Sequence, residues 1–180
     1  MLYAAYGSNL HPLRLSLRLP KSRFKGTAAI AGLKLCFHKK SKDQSGKCNI
    51  VAGDDSIHVA VYELGGTEKA RLDQIEGTGS GYSVETLDVP GFGECFTYVA
   101  TASYIDDELH PYSWYKELVL VGCGALGLPR DYVKRIQGIV AIDDPDLTRH
   151  ANNMKIVEQA RASANAVPGK DRVIASFLRR

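Results

Sequence analysis

The alternation of apolar and polar positions divides the chain into strands and helices of ordinary length. Residues 2–6 have the apolar and aromatic content of a buried strand, which breaks at Gly7-Ser8-Asn9. Gly7 frees the backbone there, and Ser8 or Asn9 is suited to cap the helix that follows. Leu10, Leu13 and Leu17, with Arg14 and Arg18 between them, mark an amphipathic helix that Pro20 stops. Residues 24–38 read as one or two strands punctuated by Gly26 and Gly32, and residues 39–47 as a mobile charged loop. Residues 49–52 and 58–64 then read as a hairpin turning at Gly53-Asp54-Asp55. Thr67 is placed to cap a short helix carrying Ala70, Leu72 and Ile75, which ends at Glu76-Gly77. After a loop containing Gly77, Gly79 and Gly81, residues 82–89 and 95–102 form a meander about Pro90-Gly91. Trp114, Leu118 and Val121 predict one helix, and Tyr132, Val133 and Ile136 another starting at Pro129. The polar, Ala-rich C-terminal stretch of about thirty residues reads as a surface helix and tail.

Composition narrows this to one soluble globular domain spanning residues 1–180, with 44% hydrophobic and 24% charged residues. The net charge of +3 is slight. Basic residues cluster only at Lys39-Lys40-Ser41-Lys42 and Arg179-Arg180, so no nucleic-acid footprint stands out. No apolar run approaches the roughly 20 residues of a membrane span, and the N-terminus lacks the charged region of a signal peptide. The expectation is a cytoplasmic protein without a membrane partner. Cys36, Cys48, Cys95 and Cys123 stand far apart with no C-x-x-C and read as reduced core thiols. A homodimer is compatible with the sequence but not required by it.

Candidate chemistry concentrates in two places. The loop at Gly7 to Asn9 should expose unpaired N–H groups suited to a carboxylate, a phosphate or a developing oxyanion. Glu76, at a helix C-terminus, faces the negative end of the macrodipole, a place unfavourable to its charge by about 0.3 to 1 kcal/mol. Such a site favours proton uptake, which a general base needs. Other motifs carry less. Gly122-Cys-Gly-Ala-Leu-Gly127 satisfies a dinucleotide fingerprint, but Pro129 follows at once and too little chain remains for a Rossmann half, so a helix cap and turn explain these glycines better. The five histidines have no metal-ligand spacing, and neither Ser8 nor Ser80 completes a nucleophile elbow, so no metal site is expected and a serine hydrolase is unsupported.

Tyr3-Ala4-Ala5-Tyr6-Gly7-Ser8-Asn9-Leu10, Leu72-Asp73-Gln74-Ile75-Glu76-Gly77 with Gly81-Tyr82, and Tyr115-Lys116 with Gly127-Leu128-Pro129 together resemble the γ-glutamylcyclotransferase family over roughly residues 1–137. The resemblance implies an α+β fold, a small mixed β-barrel with surrounding helices. It implies a cofactor-free enzyme of glutathione metabolism that converts a small-molecule γ-glutamyl-amino acid to 5-oxoproline and the free amino acid. By carry-over, Glu76 is the general acid/base and the backbone of Tyr6, Gly7, Ser8, Asn9 and Leu10 binds the γ-glutamyl group. Tyr115 lines the cavity, and Tyr98 joins it. The basic 39–47 loop and the C-terminal extension depart from the pattern and leave acceptor specificity open. The rivals are a relative acting on γ-glutamyl amines or on glutathione, and a non-catalytic binder of small carboxylates, which would gain nothing from a carboxylate at Glu76.

Overall fold

The computed structural model describes residues 1–165. The first strand, β1 (Leu2–Ala5), leads into a 3₁₀ turn (Ser8–Leu10) and helix α1 (Pro12–Arg18). Two 18-residue strands follow, β2 (Arg23–Lys40) and β3 (Gly46–Glu63), then helix α2 (Gly66–Glu76). Strands β4 (Tyr82–Val89) and β5 (Gly93–Ala100) precede helices α3 (Ser113–Ala125), α4 (Arg130–Gln137) and α5 (Leu147–Asn165). The expected tail beyond residue 165 lies outside the described residues.

The strands form one mixed sheet in the order β2-β3-β1-β5-β4. β1 is central: it runs antiparallel to β3, with Ala4 opposite Val61, and parallel to β5, with Tyr3 opposite Phe96. Tyr3, Ala4 and Ala5 are accordingly buried. The α+β class holds, but the expected barrel is not closed by strand pairing, for β2 and β4 remain the edges. Side-chain hydrogen bonds instead tie β3 to the far end of the sheet. The Tyr82 hydroxyl donates to the Cys48 carbonyl at 2.7 Å, and the Ala100 N–H donates to Asn49 Oδ1 at 2.8 Å. A full ladder would bring neighbouring strands to about 4.8 Å. These bonds tie β3 to β4 and β5 without a ladder, and Cys48 and Tyr82, which the first one joins, line a pocket.

Four local expectations are corrected. The cap of α1 is His11, whose Nδ1 accepts from the Leu13 N–H at 3.1 Å, while Ser8 and Asn9 belong to the preceding 3₁₀ turn. Gly53-Asp54-Asp55 is no hairpin turn but part of β3. The register jumps there, from Ala31 opposite Ser56 to Leu33 opposite Ala52, so the extra residues form a bulge and the long ladder continues past them. The β2–β3 turn falls in the stretch expected to be mobile, yet it is tied down: Asp43 Oδ1 accepts from the N–H and hydroxyl of Ser45, which is fully buried, and Asp43 Oδ2 accepts from Lys47 at 2.7 Å. Helix α2 begins before Thr67, with Gly65 as N-cap and Glu68 reaching back to its N–H. Its C-terminus is as expected, Gly77 taking the left-handed conformation just past Glu76.

Two glycines of the rejected dinucleotide fingerprint have structural roles, Gly122 in packing and Gly127 in the backbone. Gly122 lies within α3, where a Cβ would come within 2.8 Å of Leu10 Cβ and 3.1 Å of the His11 nitrogen. Its bare backbone lets the turn after β1 lie directly on α3. Gly127, at φ +63°, closes that helix. Helix α5, expected on the surface, covers the core through Val157 and Ala160 and is stapled at its start by Asp144, which accepts from Trp114 Nε1 and Arg149 Nε.

Candidate active site

The turn after β1 is held from below. The Leu10 N–H donates to the Gly7 carbonyl at 2.9 Å, and the Tyr62 hydroxyl donates to the Leu10 carbonyl at 2.8 Å. The N–H groups of Ser8 and Asn9 lie ahead of that first bonded N–H, as at the start of any helical turn. Gly7 sits where a Cβ would approach Cys48 Cβ to 3.1 Å and the Tyr115 hydroxyl to 3.4 Å. A larger residue would push the turn away from both.

Glu76, the last residue of α2, meets this turn through Asn9, whose Nδ2 donates to Glu76 Oε1 at 2.9 Å. Arg18 Nη1 donates to Asn9 Oδ1 at 2.9 Å and lies 3.7 Å from Glu76 Oε1. Asn9 thus joins a cation and a carboxylate, and the cation answers the negative end of α2. The Glu76 side chain is 19% exposed, so water and small solutes reach it.

A pocket of about 310 Å³, its open mouth included, lies between these groups. Of the sequence-predicted residues, Glu76, Tyr6, Gly7, Ser8, Asn9, Tyr98 and Tyr115 line it. Leu10 does not. It is fully buried and faces Gly122 of α3. Tyr3, Cys48 and Tyr82 also line the pocket, though the sequence did not single them out for it. Tyr3 and Tyr82 stood inside the quoted motifs, but Cys48 carried no signal, because only the β2–β3 pairing brings it opposite Gly7.

The pocket wall is phenolic and uncharged. The Tyr98 hydroxyl donates to Asp73 Oδ1 at 2.8 Å, Tyr6 donates to the Tyr98 carbonyl, and Tyr115 accepts from the Cys48 N–H at 3.2 Å. Burial raises the phenol pKa of each, with the Asp73 bond adding to the rise at Tyr98, so all remain hydroxyls at neutral pH. Burial also pushes the Cys48 thiol up to about 12, which leaves no thiolate to act as a nucleophile. Arg14 is buried one helical turn from Arg18; burial, then that neighbour, lowers its pKa, though a guanidinium keeps its charge well above pH 7. Glu76 is therefore the charged residue that lines the pocket, while Asp73, Lys39 and Lys47 meet its tyrosines from behind.

The arrangement defines a class: a small α+β protein in which one carboxylate, tied to a strand–turn backbone, faces a tyrosine-lined pocket at an unclosed sheet seam. Residues 3–117 match the family model described as gamma-glutamyl cyclotransferase, AIG2-like. The chain belongs to that family. It is 30% identical to the gamma-glutamylcyclotransferase of Bos taurus over 77% of this chain and 78% of that protein, and 28% identical to the Homo sapiens protein of the same name over the same shares. A solved structure titled gamma-glutamyl cyclotransferase superimposes with a TM-score of 0.76 at 26% identity, covering 88% of this chain and 98% of the other.

Proposed function

We propose that this protein is a γ-glutamylcyclotransferase that converts γ-glutamyl-amino acids to 5-oxoproline and the free amino acid, with Glu76 as its proton carrier. The observation that carries this reading is the 2.9 Å hydrogen bond from Asn9 to Glu76, which sets the turn after β1 and the carboxylate against one pocket. The substrate brings its own nucleophile, so neither a serine nor a thiolate is needed.

Glu76 takes a proton from the substrate α-ammonium. The freed amine attacks the γ-carbonyl carbon, a C–N bond closes the five-membered lactam, and the carbonyl oxygen becomes an oxyanion. As that intermediate collapses, Glu76 returns its proton to the leaving nitrogen, the bond to that nitrogen breaks, and the ring nitrogen gives up its second proton to the departing amine. Such acid/base help is typically worth about 10² to 10⁴ in rate. A pocket that holds the glutamyl chain folded adds up to about 7 to 11 kcal/mol. In this reading Tyr6, Gly7, Ser8 and Asn9 mould the γ-glutamyl group, Leu10 fixes the turn from behind, and Tyr98 and Tyr115 wall the cavity. The chain acts as one domain in the cytoplasm, where its cysteines, unpaired among the described residues, remain thiols.

The test is to incubate the purified protein with γ-glutamyl-alanine, glutathione and γ-glutamyl-lysine and to measure 5-oxoproline. Release from γ-glutamyl-alanine is expected. Release only from glutathione or only from the γ-glutamyl amine moves the protein to a related cyclotransferase, and binding without turnover of any of the three makes it a carboxylate binder.

A further inference from the structure

The chain carries two nearly buried lysines on the β2–β3 hairpin, and their surroundings differ. Lys47 is neutralised by Asp43 at 2.7 Å while it lies over the rings of Trp114 and Tyr115. Lys39 is only 9% exposed, yet among the described residues no carboxylate oxygen comes within 4.0 Å of its Nζ. Its ammonium has ring faces instead, 4.5 Å from the Tyr82 centroid and 5.8 Å from that of Tyr104. Gly81 passes so close that a Cβ there would sit 3.0 Å from Nζ. An almost buried cation held only by ring faces, unlike its paired neighbour, is a poised counter-charge.

We infer that Lys39 binds the carboxylate of the departing amino acid and so sets this enzyme's preference for γ-glutamyl-amino acids over γ-glutamyl amines. The inference rests on the cyclotransferase reading. Tyr82 lines the pocket and carries Lys39 on its ring, and Gly81 ends the loop that Glu76 begins. The substrate has two carboxylates. The glutamyl half must fold back to bring its α-amine to the γ-carbonyl beside Glu76, which keeps its own carboxylate near the turn after β1. The leaving half extends outward from Glu76, and its carboxylate is the anion that can pass Tyr82. γ-Glutamyl amines carry no carboxylate on the carbon next to the departing nitrogen. Burial lowers the ammonium's pKa, and the field of Glu76 partly restores it, as expected for a cation beside the site.

The experiment measures kcat and KM for 5-oxoproline release from γ-glutamyl-alanine and γ-glutamyl-alaninamide by the wild type, Lys39→Met and Lys39→Arg. Methionine keeps an unbranched stem on Tyr82 and removes only the charge. Lys39→Met should lower kcat/KM for γ-glutamyl-alanine roughly 10- to 100-fold, mainly through KM, the loss of one charged hydrogen bond. The alaninamide should change less than about 3-fold, and Lys39→Arg should recover most of the loss. Because the two substrates are compared within each variant, partial unfolding scales both alike and cannot imitate the effect. An equal fall on both substrates, or no fall on either, overturns the assignment. Failure of the wild type to release 5-oxoproline from either substrate overturns the proposed function and this inference with it.

Discussion

Two carboxylates, Glu76 and Asp144, contrast the group proposed to carry protons with one that holds the fold. Asp144 is fully buried in its side chain. Its Oδ2 accepts from Trp114 Nε1 at 2.8 Å and Arg149 Nε at 2.7 Å, and its Oδ1 from the Asp146 N–H at 2.9 Å and Arg149 Nη2. Every face of that carboxylate is occupied, so a proton binds it only well into the acid range. Glu76 is built the other way. Its Oε1 receives Asn9 and lies at long range from Arg18, while Oε2 has no hydrogen-bond partner among the described residues and the side chain remains partly open to the pocket. Saturation makes a staple, and an open oxygen beside a cavity is what the proposed proton carrier needs.

Removing the proton-carrying oxygen from Glu76 should have the largest effect. Glu76→Gln keeps the shape and an acceptor for Asn9, so kcat for 5-oxoproline release should fall about 10² to 10⁴-fold. The melting temperature should stay within a few degrees, because a partly exposed side chain with one hydrogen bond contributes little to folding. A variant that retains near-wild-type turnover would remove Glu76 from the mechanism and erase the distinction between the two carboxylates.

Asp144 should answer in the opposite currency. Asp144→Ala strands the Trp114 N–H and the Arg149 guanidinium, an expected loss of about 3 kcal/mol in stability by denaturant titration. The folded fraction should turn over substrate at close to the wild-type rate, since neither Asp144 nor Trp114 lines the pocket. A large fall in kcat without a stability loss would show that the two regions are coupled and that the comparison is misdrawn.

Much of the Glu76 half of this comparison was legible in the sequence, and little of the Asp144 half was. Local rules reach β1, the Gly77 helix end and the β4–β5 meander, because those signals lie within a few residues of what they describe. Glu76 and the Tyr6 to Asn9 turn were legible for the same reason. Turn signals misled where long-range pairing prevailed: Gly53-Asp54-Asp55 is absorbed as a bulge because two 18-residue strands pair on both sides of it. The charged stretch at 39–47 looked solvated, yet it holds two nearly buried lysines, because aromatic rings arriving from β4 and α3 cover their stems. Arg18 read as the polar side of a helix, and only the packing of α1 beside α2 reveals its approach to Glu76. Asp144 carried no local signal of a staple. Its partners are set by how α5 crosses α3, which no spacing encodes.

The smallest effect separates the two carboxylates by pH. Arg149's hydrogen bonds hold Asp144 down to about 2, against an ordinary value near 3.8, with burial opposing them and Trp114 assisting. The folded pKa is depressed, so the stabilisation is complete above the unfolded value near 4 and is lost as pH falls from there through about 2. Arg149's side chain is about one-third exposed, and water screens the pair, so the contribution is about 1 to 2 kcal/mol rather than the full shift. Stability of the wild type measured from pH 6 to pH 2 should therefore include an acid-sensitive component of that size, and Asp144→Ala should lack it. Glu76→Gln should keep it, since Glu76 is not part of the staple. If Asp144→Ala retained the same slope below pH 4, the charge on Asp144 would not be what ties α5 to the core, and packing of Val157 and Ala160 would have to hold the helix alone.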